Sequence, residues 1–68
     1  MARKGSIEDV GIKDWVDQNS PEHLNYSVFR RMREAHASIA SMARTFGKTE
    51  NIMRKWIVQD DLENGKPA

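Results

Sequence analysis

Gly47 divides two stretches whose apolar residues recur at three- and four-residue spacing, Ile39, Met42, Ala43 and Phe46 before it and Ile52, Met53, Trp56 and Ile57 after it. That period belongs to helices that each bury one face. Ser38 and Thr49 stand where each helix needs a side-chain oxygen for its first free N–H groups. Glycine between them supplies the positive φ that ends a helix sharply. The pattern predicts helices over 38–46 and 49–59 joined by a short turn. Asn64-Gly65 with Pro67 beyond is a later stop signal. Asp60, Asp61 and Glu63, however, put negative charge where the helix dipole disfavours it. The last turn is therefore expected to fray, with firm helix ending near Gln59.

The first half of the chain carries weaker signals. Ser6 and Asp9 have the spacing of a capping box, and Ile7, Val10, Trp15 and Val16 suggest an apolar stripe. A helix over 7–18, broken at Gly11, is predicted. Ser20-Pro21 reads as an N-cap followed by proline at the first helical position, with Ser27 as a second candidate cap. From 21 to 35, Leu24, Val28, Phe29 and Met32 form an apolar face. Arg30, Arg31, Arg33 and Glu34 are expected on the solvated side, with Arg30 paired to Glu34 at i,i+4. No strand alternation, internal repeat or low-complexity stretch interrupts this pattern. The chain thus divides into an N-terminal arm with an extra helix (1–20), a helical domain (21–62) and a flexible tail (63–68).

With 68 residues, the chain has room for one small domain, which buries only about 60% of its unfolded surface. A deep enclosed catalytic cavity is not expected at this size. The absence of cysteine excludes disulfide staples and thiolate metal cages. His23 and His36 lack the spacing of metal ligands, so no cofactor is expected. No apolar run is long enough for a membrane span, and the first residues lack a secretory core. A cytoplasmic protein without membrane or small-molecule partners is the expectation. The net charge of +1 conceals a pattern: residues 1–20 carry −1, 21–37 carry +1, 38–58 carry +3 and 59–68 carry −2. The basic block coincides with the two helices around Gly47, which is where a polyanion would be met.

Residues 38–57 resemble the helix-turn-helix of the homeodomain-like group found in transposase DNA-binding ends, resolvases and small bacterial or phage regulators. The run Met42-Ala43-Arg44-Thr45-Phe46-Gly47-Lys48-Thr49, then Met53 and Trp56-Ile57, follows the group's aliphatic-Ala-x-x-Phe-Gly-x-Ser/Thr pattern. Residues 33–39 are similar to the end of its first helix and the start of its second. The likeness covers about half the chain, roughly 27–58. Two positions depart from it. Lys48 replaces an aliphatic residue and either weakens turn packing or reaches a phosphate. Ile52 replaces a small polar residue and either packs inward or meets a thymine methyl.

The resemblance implies an all-α fold of three to four helices and sequence-specific binding of double-stranded DNA, with the helix from about Thr49 to Gln59 in the major groove. Thr49, Glu50, Asn51 and Arg54 would then face base edges. Asn51 suits adenine, Arg54 guanine and Glu50 a cytosine amino group. Arg44, Lys48, Lys55 and Ser38 would hold phosphates, and Arg3-Lys4 would be either a minor-groove arm or a solubilising tail. A small transcriptional or recombination regulator, nucleoid-associated if bacterial or phage, is the expected role. A homodimer or tandem arrangement would supply tight specificity. Two alternatives stand beside it. One is a protein-binding adaptor using the Trp15 segment or the Ile57-Val58 edge. The other is the DNA-recognition piece of a transposase or small terminase subunit. No catalytic grouping is present, so an enzyme is not expected.

Overall fold

The computed structural model describes residues 7–66. The Ser6 half of the expected capping box and the Arg3-Lys4 arm lie outside the described residues. Four α-helices follow one another without a strand among them: α1 (Ile7–Asn19), α2 (Tyr26–Glu34), α3 (Ile39–Phe46) and α4 (Glu50–Asn64). The expected stripe is met in α3, where Met42, Ala43 and Phe46 are buried, and in α4 by Met53 and Trp56, which are buried, but not by Ile52, which is 39% exposed. Phe29 of α2 closes the core. Its ring lies 6.2 Å from Phe46 and 6.0 Å from Trp56, which are 5.8 Å from each other, all three pairs edge to face. Such pairs each add about 0.5–1.5 kcal/mol beyond the area they bury.

Helix α1 contains the break expected at Gly11, where φ is 83° and ψ 161°. Only glycine enters that region freely. The kink resets the helical phase, so Ile7, Ile12 and Val16 are buried while Val10 and Trp15 are half-exposed. Ile12 thus takes the core position that the sequence pattern assigned to Val10. The break also frees the Ile12 N–H, which donates to both oxygens of Glu63, at 3.0 and 3.2 Å. Gln59 Nε2 donates to the same carboxylate at 2.7 Å. A methyl group on Gly11 would sit 3.3 Å from Glu63 Oε1.

The start of α2 differs from expectation. Ser20 does not cap a helix; its hydroxyl is buried without a hydrogen-bond partner. Pro21 belongs to a turn closed by the Leu24 N–H on its carbonyl, at 2.8 Å. Asn25, not Ser27, is the cap, accepting the Val28 N–H at 3.2 Å. Asp17 of α1 takes the Tyr26 N–H at 2.8 Å. These two acceptors satisfy the first donors of the helix, so α2 begins at Tyr26. The Tyr26 N–H also holds the Asp17 carboxyl below its usual range.

Two more expectations are overturned together. Arg30 and Arg33 do not form a solvated face, and α4 does not fray at Gln59. Asp60 is fully buried, and four groups donate to it. Its Oδ2 receives Arg30 Nη1 and Arg33 Nη1, the latter at 2.7 Å. Its Oδ1 receives the Tyr26 hydroxyl at 2.6 Å and Asn64 Nδ2 at 3.1 Å. Arg33 Nη2 also donates to Asp61 at 2.8 Å. The arginine expected to pair with Glu34 therefore pairs across the core with α4. A dipole effect of about 0.3–1 kcal/mol is outweighed by a carboxylate whose lone pairs are all engaged. Helix α4 continues to Asn64 and stops at Gly65, the later of the two signals.

Helices α2 and α3 end in the same backbone motif. After α3, Gly47 is left-handed (φ 68°, ψ 31°), with Gly47 N–H on the Arg44 carbonyl and Lys48 N–H on that of Ala43. After α2, His36 takes the corresponding seat at φ 59°, with His36 N–H on Arg33 and Ala37 N–H on Met32. Both are Schellman closures, one with the residue that fits and one without.

Three outcomes are expected. Gly11→Ala should lower stability by about 1–3 kcal/mol, read as a fall in the urea midpoint at unchanged slope. His36→Gly and Gly47→Ala should move that midpoint in opposite directions, up and down by about 1 kcal/mol. Burial and the hydrogen bond to Asp60 raise the Tyr26 hydroxyl from 10.0 to about 12. Since the folded state holds this proton more tightly, its contribution to stability is complete below pH 10 and is lost as pH climbs toward 12. Tyr26 is the sole tyrosine, so phenolate absorbance should titrate near 12 in native protein and near 10 in urea. A native midpoint at 10 would break the Asp60 arrangement.

Candidate nucleic-acid interface

Helix α4 is held from three sides. Met53 and Trp56 anchor it in the core, Asp60 ties it to α2, and Glu63 ties it to α1. At 3.6 residues per turn, Asn51, Arg54, Lys55, Val58 and Leu62 fall on the opposite side, and all five are exposed.

Of the residues expected at base edges, Glu50, Asn51 and Arg54 are brought together. Arg54 Nη1 donates to Asn51 Oδ1 at 3.2 Å, and Arg54 Nη2 lies 3.9 Å from Glu50 Oε1. Both side chains of that ion pair are more than half exposed, so the pair is worth well under about 1 kcal/mol and opens easily. Thr49 caps α4, its Oγ1 accepting the Ile52 N–H at 3.2 Å. Ser38 caps α3 likewise, its Oγ accepting the Ser41 N–H at 3.1 Å. In each case the hydroxyl proton stays free to be donated elsewhere.

The residues expected at phosphates are spread more widely. Lys48 and Lys55 flank one surface hollow between α1 and α4. Lys55 is exposed and Lys48 half-buried. Arg44 is exposed in the last turn of α3, and Ser38 stands at the opposite end of that helix. Ile52 is 39% exposed beside the hollow, so neither of its two expected roles is closed off by packing.

The fate of the acids shapes this face. Asp60 and Asp61 are engaged by α2 arginines, and Glu63 is engaged by the α1 backbone. The exposed N-terminal half of α4 therefore presents Arg54 and Lys55 against Glu50 alone. Sequence reasoning missed this pairing, although Asp60 lies seven residues beyond Met53 on the same stripe. Among the described residues, no cluster of three His, Asp or Glu could hold a metal. No helix there is long and apolar enough to cross a membrane. Comparison with protein-family models, curated proteins and solved structures finds no match.

Proposed function

We propose that the chain binds double-stranded DNA through α4, as a homeodomain-like helix-turn-helix, and serves as a small transcriptional or recombination regulator. One observation carries this reading: Met53 and Trp56 are buried while Asn51 and Arg54 stand exposed and adjacent on the opposite stripe. Asn51 and Arg54 are three residues apart, about 4.5 Å along the helix axis. Both side chains carry the donors that read purine edges in the major groove. Thr49 and Glu50 immediately precede Asn51, at the positive end of the helix dipole. Lys48, Lys55, Arg44 and Ser38 are the proposed phosphate contacts. Pairing of Asp60 with Arg30 and Arg33, and of Asp61 with Arg33, limits the repulsion of a phosphate backbone by these two acids.

Arg54→Ala should weaken binding to a selected duplex by roughly 5- to 150-fold and relax preference at one base pair, with the folded state unchanged because the side chain is exposed. Three cationic phosphate contacts, from Arg44, Lys48 and Lys55, should give a log–log salt slope of about −3, and Lys55→Ala should reduce it by about one. Fluorescence anisotropy on duplexes selected from a random pool measures both. Equal, negligible affinity for selected and random duplexes at low salt would remove the reading and favour the protein-binding adaptor.

A further inference from the structure

Two surface hollows open between α1 and α4. One, of about 240 Å³, has apolar walls from Ile7, Trp15, Ile52 and Trp56, and Lys48 and Lys55 complete its lining. The other, of about 220 Å³, shares Ile7, Trp15 and Lys55 with it, so the two adjoin. Both tryptophans of the chain thus stand at one site, and the Trp15 Nε1–H is buried without a protein acceptor. Among the described residues, no acidic side chain lines either hollow. Neither Lys48 nor Lys55 forms an ion pair there. Glu63, one turn beyond Gln59, is taken up by the Ile12 N–H and by Gln59 Nε2.

We propose that this site binds a small organic anion, an aromatic ring bearing one carboxylate, with the ring against Trp15, Trp56 and Ile52 and the carboxylate between Lys48 and Lys55. Size, lining and charge each narrow the occupant. A hollow of about 240 Å³ equals the liquid volume of about eight waters, below the range of drug-sized sites, so the body is one or two rings. Two indoles in the wall favour a ring, which they can meet edge to face or offset. A neutral ring would leave both ammonium groups unpaired, and a bare anion would leave the apolar wall wet. An aromatic carboxylate answers both requirements. Its oxygens are also the kind of acceptor that the Trp15 N–H lacks. Residues 1–6, which precede Ile7, hold Arg3 and Lys4 and no acid, so they do not supply the charge that the two lysines call for. This inference does not rest on the DNA reading. Where both hold, the anion and a duplex compete for Lys48 and Lys55.

The test uses phenylacetate and no DNA. Titrated into isotope-labelled native protein, it should shift the indole N–H resonance of Trp15 more than that of Trp56, with a dissociation constant of about 1–10 mM. Phenylacetamide, phenethylammonium, acetate and inorganic phosphate each lack the negative charge or the ring, and should bind at least about 5-fold more weakly. Lys48→Gln and Lys55→Gln should each weaken phenylacetate by about 2- to 5-fold and leave phenylacetamide unchanged. Lys13→Gln, which removes a lysine paired with Asp17, should have no effect. Equal binding of phenylacetate and phenylacetamide, shifts confined to residues away from α1 and α4, or no shift at about 50 mM overturns the proposal.

Discussion

The carboxylate of Asp60 sets the relative position of the helices. It has no solvent exposure, and it receives two guanidinium groups, a phenol and an amide. Burying such an ion costs several kcal/mol, recovered only when its lone pairs are matched. Here they are. A hydrophobic residue at this place would allow α2 and α4 to slide along each other with small loss. Asp60 allows one register, because Tyr26, Arg30 and Arg33 must all reach it from one face of α2. The spacing 26, 30, 33 is that of a single helical face, so the α2 side of the match is set by local geometry.

This arrangement decides the charge on the outside of the molecule. Arg30 and Arg33 would otherwise extend the basic surface, and Asp60 and Asp61 would otherwise cancel it. Pairing them removes both signs at once. What remains on α4 is a short cationic end, an apolar strip, and a C-terminal turn whose Glu63 is fastened to the break in α1. Glycine at position 11 is the counterpart of Glu63. The break exposes an N–H to be accepted, and the missing side chain leaves room for the acceptor.

How much of this was legible in the sequence follows from the range of each interaction. The α3–turn–α4 unit was legible because its signals are local: Ser38 and Thr49 cap within three residues, and Gly47 closes on Ala43 and Arg44. The Gly11 break was legible for the same reason. Links of Asp60 to α2, over 27 to 34 residues, and of Glu63 to Ile12, over 51, were not. Reading Asp60–Glu63 through the helix dipole alone gave the wrong end for α4. The clue was phase: Asp60 repeats Met53 and Trp56 at i+7 and i+4, a place for a buried side chain whatever its charge. Asn25 is masked in the sequence by Ser20-Pro21 and Ser27, which carry stronger conventional signals. The choice was made by Asp17, which supplies the acceptor for the Tyr26 N–H. Of the candidate site, the exposure of Glu50, Asn51, Arg54 and Lys55 was legible from periodicity. The contact of Arg54 with Asn51 and the depth of the hollow beside Lys48 depend on packing that periodicity does not encode.

A domain this small has few surfaces to allot. Burial of the aromatic cluster uses one side of α4, and the links to Asp60 and Glu63 use its flanks, so the outward strip is the part of that helix left for a partner. The register that buries Met53 and Trp56 is the same one that turns Asn51 and Arg54 outward. A change that rotated α4 would therefore be felt on both faces at once, in the packing of Phe29 against Trp56 and in the side chains offered outside.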